Sequence, residues 1–420
     1  MEGSRVETRR RPRAAPVRIL HLTPELPYAP GGSGGSTRQF HLYRRLAEHG
    51  HDVTVVSPVH PSQAEGPELL AAAGVRLVAV QRPASRVRET LGALARRPSL
   101  LLAAGREPVL AWQVDVFWTA LRRLAARELD RRPDVITVEH DWAAAWHRAL
   151  PAGVPRALTL QNLTWTYYEA RARAAGGSRR LSAEAARFRR FDAAHLGAYD
   201  LLIAMSELDR TGAADVTDTR CVAIPNGVDL RDWPPAPQPE PKPSPLVLFT
   251  GTLSYPPNAE GLEWLLREAW PRIRERVPEA RLRVIGRDAP ASATRLAGPE
   301  VELTGWVPEM RPHFQEADLI AVPILSGGGT RLKVLDGLAA TRALVSTRPG
   351  AEGIDIADGE HAVLADGAQP FADAVVALLG DPQRRETLAQ GGRRLVEEGY
   401  EWSALGDRLE AELRALIRPA

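Results

Sequence analysis

Residues 326–339 read SGGGTRLKVLDGLA, three consecutive glycines that run into an arginine, a lysine and an amphipathic stretch. Without side chains at Gly327, Gly328 and Gly329, backbone N–H groups can turn toward a ligand, and Thr330 stands where it would cap a helix beginning at Arg331. Free amides at a helix N-terminus beside two cations, Arg331 and Lys333, make an anion site of the kind that holds phosphate. The spacing is not that of a P-loop: no GxxxxGK[ST] is present, and Lys333 falls one turn into the helix. The plain alternative is a glycine turn with Lys333 and Asp336 as an i,i+3 surface pair. A second glycine loop, APGGSGGSTRQF, precedes a helix predicted from Thr37 to His49 and terminated by Gly50. Gly32 and Gly34 supply G-x-G, but Thr37 occupies the place of the third glycine. The next apolar run ends in Ser57 rather than an acid, so a dinucleotide fingerprint is not supported. Gly34 and Gly35 would still let backbone approach a phosphate or a sugar hydroxyl closely.

Such loops need strands to carry them. Short aliphatic runs recur between helical stretches: VRILHLT, HDVTVVS, VRLVAV, DVITVEH, RALTLQN, LLIAMS and RCVAIPN in the first half, then PLVLFTG, RLRVIG, VELTG, DLIAVP, ALVST and AVLAD. Alternation of strand and helix over this length predicts parallel sheets with helices on both faces. Between the halves, DLRDWPPAPQPEPKPSP is too proline-rich for helix or central strand and reads as an extended linker. The expected organisation is a basic disordered tail at 1–16, a first domain at 17–228, the linker at 229–245, a second domain at 246–400 and a terminal helix at 401–420. A ligand crevice should open where the carboxyl ends of the two sheets face each other.

Composition narrows the chemistry. A chain of 420 residues that is 44% hydrophobic is long enough for two or three cores. Its 54 basic and 52 acidic residues leave a net charge of +2, which gives no electrostatic case for binding nucleic acid. The lone Cys221 excludes internal disulfides and cysteine-based metal sites and fits a reducing compartment. With no run of 18 apolar residues and no apolar leader in MEGSRVETRRRPRAAP, the expectation is a cytoplasmic protein, with peripheral contact at the inner face of the membrane as the alternative.

From about Val17 to about Leu416 the chain resembles nucleotide-sugar-dependent glycosyltransferases of the GT-B fold, and within them the retaining family 4 of glycogen synthases and bacterial exopolysaccharide transferases. The resemblance rests on pieces in the right order: GGSGGSTRQFHLYRRLAEHGHDVTVV, EHDW, MSELDR, IPNGVD, FTGTLSYPPNAEGLEWL, GWVPEM, the opening loop with LDGLAA, and GAEGI. It implies an α/β architecture of two doubly wound, Rossmann-like domains facing across a cleft. The second domain would bind a nucleotide sugar, with the base near the backbone of Trp306 and Val307 and the ribose on Asp336. The diphosphate would lie against Gly327, Gly328, Gly329, Thr330 and Gly251, with Arg331 and Lys333 meeting its charge. UDP is the expected nucleotide, and neither metal nor other cofactor is required if side chains and helix N-termini do that work. Two departures stand out. Relatives carry two glutamates eight positions apart where this chain has Gly328 and Asp336, and an arginine and lysine where it has Thr252 and Pro257 or Asn258.

The first domain would hold the acceptor. His140, Asp141 and Trp142 match an HDW whose histidine reaches the donor sugar, so His140 joins Arg331 and Lys333 as a candidate for catalysis; alone at a strand end it would be read as a structural hydrogen bond. Asn162 follows a glutamine where relatives often show histidine, and Glu207 ends another strand; with Gly34, Gly35, Asp141 and Trp142 these are the candidate substrate contacts. Five of the ten tryptophans fall between 112 and 165, as core packing or as an aromatic platform. The basic and leucine-rich segment from Val87 to Trp112 would either rest on a membrane surface or pack as a helical hairpin. The reading is a glycosyltransferase. A nucleotide-sugar binder with reduced or no turnover, and a nucleotide-sugar epimerase of the same fold, are the alternatives; the oligomeric state is not specified. Leu405, Leu409 and Leu413 form one stripe on the terminal helix, which would cross back onto the first domain.

Overall fold

The structure, a computed structural model, describes residues 15–82, 86–103, 106–174, 176–240, 242–326 and 331–417. Every apolar run noted above becomes a parallel strand. The first sheet contains β1 (Arg18–Leu22), β2 (Asp52–Val59), β3 (Arg76–Gln81), β4 (Val135–Glu139), β5 (Arg156–Leu160), β6 (Leu201–Ala204) and β7 (Cys221–Ala223), in the order β3-β2-β1-β4-β5-β6-β7. The second contains β8 (Leu246–Thr250), β9 (Arg281–Ile285), β10 (Val301–Gly305), β11 (Leu319–Val322), β12 (Leu344–Ser346) and β13 (Val363–Leu364), in the order β10-β9-β8-β11-β12-β13. Helices cover both faces, so central strands such as β4 are buried at every residue; this is why they read as unbroken aliphatic runs rather than as alternation. The strand order reverses between β1 and β4 and again between β8 and β11. Crevices open at both switch points.

The helix after β1 runs Gly34–Glu48, three residues ahead of its predicted start, because Ser33 caps it by accepting from the Ser36 N–H at 3.0 Å. Gly34 and Gly35 therefore lie in its first turn. Much of the tryptophan cluster is packing: Trp118 stacks on Trp146 with ring centroids 4.3 Å apart, and both are buried with Trp165 in one core. In the segment from Val87 to Trp112, the helices Arg86–Arg96 and Leu100–Ala103 fold back on the helix Val109–Leu129. Trp112 Nε1 donates to Leu100 O at 2.9 Å across that hairpin, while Leu91, Leu101, Leu102 and Val109 stay largely exposed. Among the described residues no helix is long and apolar enough to cross a membrane.

The helix Trp402–Ile417 lies on the first domain. Leu405, Leu409 and Leu413 share a buried core with Phe40, Leu46 and Val53, and Arg45 pairs with Asp407 at 2.7 Å. Where the chain passes between domains, its two crossings run side by side: the Val228 N–H donates to Tyr400 O at 2.8 Å and the Trp402 N–H to Val228 O at 3.2 Å. A Cβ on Gly227 would stand 2.7 Å from Tyr400 O, so this approach requires glycine. The intervening linker is pinned to the second domain, with Gln238 Nε2 donating to Thr341 O at 2.7 Å.

Candidate active site in the interdomain cleft

The second-domain wall is built at the carboxyl ends of β8 and β11. The helix Leu332–Ala339 follows β11 and begins one residue later than predicted, with Arg331 at its N-cap. Gly327, Gly328, Gly329 and Thr330, expected against the diphosphate, lie outside the described residues. Lys333, in the first turn, reaches back to β8: its Nζ donates to Asn258 Oδ1 at 2.7 Å, and Asn258 Nδ2 donates in turn to Thr252 O at 2.8 Å. A Cβ on Gly251 would meet Lys333 Nζ at 2.6 Å, so the absence of a side chain there is what admits the amine. Along 252–258, where the resembling enzymes carry an arginine and a lysine and this chain does not, the structure brings Lys333 to Asn258 from a different element.

Burial, together with the charge of Arg331, pushes the Lys333 amine down to about 7. One turn on, burial and the neighbouring Asp232 push the Asp336 carboxyl up to about 7. The Asp336 side chain has no hydrogen-bond partner among the described residues and the residue is half-buried, which leaves its carboxyl available to a ligand. Arg331 is buried, with its guanidinium near the Tyr255 hydroxyl and the Glu352 carboxylate. At the end of β10, Trp306 is 58% exposed beneath the Arg287 guanidinium, 4.9 Å from the ring centroid, while Val307 packs inward.

The opposite wall comes from β1, β4 and β5. His140 follows β4 with φ 74°, a backbone region costly for a residue with a Cβ, which turns its ring out of the strand direction. His140 Nε2 lies 3.2 Å from Glu25 Oε1, and the ring packs on Trp142 at 4.1 Å. Burial would lower the imidazole, but the Glu25 hydrogen bond and the carboxylates of Glu25, Glu139 and Asp141 outweigh it and hold His140 above its ordinary value. Glu25 is itself fixed. Ser33 Oγ donates to Oε2 at 2.9 Å and Gln39 Nε2 to Oε1 at 3.1 Å. Behind Gln39 the buried chain continues through His21 to Thr137 at 2.9 Å per step, and Tyr43 donates to Thr137 at 2.8 Å. Such a fully satisfied network orients the imidazole rather than merely filling space. Glu25, Gln39 and His21 were not anticipated from sequence; the one clue was a carboxylate placed just after the first strand at a switch point. Gly35 makes room for them, since a Cβ there would meet Glu25 Oε1 at 2.5 Å and the Gln161 amide at 3.2 Å. Gln161 donates to Glu139, which burial holds at about 7.

The walls approach each other closely. A Cβ on Gly34 would touch Leu332 Cδ1 at 3.4 Å, so the N-termini of the helices Gly34–Glu48 and Leu332–Ala339 converge from opposite domains. A cavity of about 960 Å³ opens beside them, between the helices Thr164–Ala174 and Glu207–Ala214 and the second-domain residues Leu325, Ser326, Arg348 and Glu352.

Two expected contacts are corrected. Asp141 is fully buried, with Oδ2 accepting from the Thr164 N–H at 2.7 Å and Oδ1 from Thr164 Oγ1 and the Trp142 N–H at 2.8 Å each. It ties the ends of β4 and β5 together and presents nothing to a substrate. Glu207 faces solvent, 67% exposed, because Arg210 one turn later donates to both its oxygens at 2.8 Å. Its helical neighbour Asp209 lines the cavity instead, bonded to Ser206 Oγ at 2.7 Å. Asn162 is half-buried and makes no hydrogen bond among the described residues. Among those residues no cluster of His, Cys, Asp and Glu could hold a metal ion.

Residues 32–232 match the family model described as Glycosyltransferase Family 4, and residues 244–381 the one described as Glycosyl transferases group 1. The fold is that of GT-B glycosyltransferases, and the two stretches are similar to glycosyltransferase family models. The phosphatidyl-myo-inositol mannosyltransferase of Mycobacterium leprae is 28% identical over 216 residues, 49% of this chain and 57% of that protein. A GDP-mannose-dependent alpha-(1-6)-phosphatidylinositol monomannoside mannosyltransferase of Mycolicibacterium smegmatis is 30% identical over 178 residues, 38% of this chain and 46% of that one. The chain thus spans about half the length of the curated relatives it matches. Sucrose-phosphate synthase from Thermosynechococcus elongatus superposes with a TM-score of 0.71 over 95% of this chain and 99% of its own, at 17% identity, a likeness of fold.

Proposed function

We propose that the protein transfers a sugar from a nucleoside-diphosphate donor to an acceptor hydroxyl, with retention at the anomeric carbon. The observation that carries this reading is the meeting, across one cleft, of the helix Leu332–Ala339 and the Lys333 amine from the second domain with the N-terminus of the helix Gly34–Glu48 and the Glu25–His140 pair from the first. Helix N-termini and an ammonium group favour a diphosphate, and Asp336 is a free acceptor for ribose hydroxyls. His140, oriented by Glu25 and held by it above its ordinary value, presents a donor to a hydroxyl of the sugar. In the transfer, the bond from C1 to the phosphate oxygen breaks with its electron pair passing to the diphosphate. The acceptor oxygen bonds C1 from the same face, and its proton goes to the departing phosphate oxygen. Retention is carried by the resemblance to the retaining family; with Glu25, Glu139 and Asp141 all held by hydrogen bonds, the form proposed for it is a same-face transfer without a carboxylate nucleophile. Positioning and leaving-group stabilisation then supply the rate, with Lys333 and Arg331 meeting the charge without a metal.

UDP is the nucleotide expected from the sequence, and the GDP-mannose-dependent relative brings GDP into the same test. Thermal shift against UDP, GDP, ADP and dTDP identifies the base, since a ligand that binds the folded state raises its apparent stability. Lys333→Ala and Arg331→Ala should weaken that nucleotide, and whichever contacts the leaving group should lose roughly 2 to 4 kcal/mol of transition-state stabilisation. Donor hydrolysis in EDTA, with the anomer of the released sugar read by NMR, tests turnover, metal independence and retention together. A nucleotide that binds without any hydrolysis, or wild-type kinetics in both variants, would overturn the assignment.

A further inference from the structure

Among the described residues, eight large apolar side chains are exposed. Leu208 and Leu325 line the cleft cavity, and Tyr255 and Trp306 belong to the donor wall. The other four, Leu91, Leu101, Leu102 and Val109, are 52 to 69% exposed, and all lie where the helices Arg86–Arg96 and Leu100–Ala103 fold against the start of the helix Val109–Leu129. They share one patch. Leu91 and Val109 are the chain neighbours of Thr90 and Leu110, which line a single cavity of about 380 Å³ together with Trp112. Leu101 and Leu102 follow Leu100, which is buried and whose carbonyl accepts from Trp112 Nε1 at 2.9 Å. The short helix is thus pinned from beneath while its two leucines stand outward. Apolar side chains gathered in this way, where the rest of the surface outside the cleft has none, mark an interaction face.

The free charge around the patch has one sign. Arg96 and Arg106 are exposed, and a Cβ on Gly92 would meet Arg96 Nη2 at 3.4 Å, so that guanidinium lies back along the helix beside Leu91. The nearby acids are engaged: Asp115 with Arg97 at 2.9 Å, Glu107 facing Arg148 at 4.0 Å, and Glu184 with the Val109 N–H at 2.7 Å and Arg187 at 2.9 Å. Among the described residues from 90 to 109, no exposed side chain is acidic and none is aromatic. Protein interfaces are anchored by aromatic residues, with leucine and valine under-represented among the side chains that carry affinity. Leucines beside arginines suit the boundary of a bilayer instead, where acyl chains take the apolar groups and anionic headgroups the guanidinium.

We infer that this face rests on an anionic bilayer, with Leu91, Leu101, Leu102 and Val109 in the acyl boundary and Arg96 and Arg106 at the headgroup phosphates. The inference stands apart from the transferase reading. Because Thr90 and Leu110 line the cavity that Glu25 also lines, docking would set the first-domain wall of the cleft beside the lipid surface.

Co-sedimentation of the full chain with vesicles tests this, one set of phosphatidylcholine alone and one with a third of phosphatidylglycerol. The chain should bind the anionic set, less so in high salt, and scarcely the neutral one. Arg96→Gln and Arg106→Gln should each weaken binding about fivefold, and Leu101→Ser combined with Leu102→Ser about tenfold or more. These side chains are exposed, so the melting temperature should stay as in the wild type; should the serine pair not fold, the glutamine variants give the same comparison. Absence of binding to anionic vesicles would overturn the proposal. Binding that every variant retains would belong to another basic segment, such as residues 1–16, and would overturn it equally. A dimer in gel filtration that the serine pair dissociates, in place of vesicle binding, would make a second copy of the chain the occupant and sink the lipid reading. Nucleotide binding measured in the same samples without vesicles keeps the transferase reading separate from all of these outcomes.

Discussion

At the scale of single residues, the site pairs two groups displaced toward neutrality from opposite sides: the Lys333 amine down to about 7 and the Asp336 carboxyl up to about 7. A diphosphate favours the ammonium form of Lys333, so its contribution to affinity is complete below pH 7 and falls about tenfold per pH unit above it. Ribose hydroxyls favour the ionised form of Asp336, so its contribution is complete above pH 7 and falls below it. Nucleotide affinity should therefore peak near neutrality and decline on both sides. Asp336→Asn should flatten the acid limb and Lys333→Met the alkaline one, with weaker binding throughout; a pH series of titration calorimetry measures both limbs. A flat profile in the wild type would show that neither group touches the nucleotide. Lys333 and Asp336 were legible because a helix sets their spacing from a glycine loop. Glu25 was not. Its partner His140 is 115 positions away, and the pair exists only once the topology lays β1 beside β4. Glu207 was misread for a related reason: MSELDR offers two carboxylates after a strand, and only the phase of the helix decides that Asp209 faces the cavity.

Among elements, the strands were fully legible because burial on both faces writes them as aliphatic runs between breakers. Helix starts were less so, since glycines in the first turn at Gly34 hide a helix that Ser33 caps. The end of β8 is the element on which the donor wall depends. Gly251→Ala would place a methyl group 2.6 Å from Lys333 Nζ and 2.8 Å from Asn258 Nδ2. The amine must then move, and about 1 to 2 kcal/mol of nucleotide affinity should be lost with it, at nearly unchanged melting temperature; an intact Kd would show that Lys333 does not need its present seat. The seam of the terminal helix bears stability rather than binding. Leu409→Ala removes a fully buried side chain between Phe40 and Val53 and should cost about 2 to 5 kcal/mol in denaturant unfolding. A loss well under that range would mean the helix packs loosely.

For the whole molecule, the feature with the widest reach is the terminal helix that ends on the domain where the chain began. The linker from Pro234 to Glu240 is largely exposed and is the natural place for a protease to cut. A polypeptide severed there would not come apart, because the second piece carries the helix Trp402–Ile417 and that helix is buried in the first, clamped by Arg45–Asp407 and by the backbone pairing at Val228. The nicked protein should migrate as two bands under denaturing electrophoresis yet elute as one particle in gel filtration, and the two pieces expressed separately should reassemble. Separation of the pieces in native buffer would contradict this. The molecule is in that sense its own complex: two partners that share a covalent thread without depending on it to recognise each other.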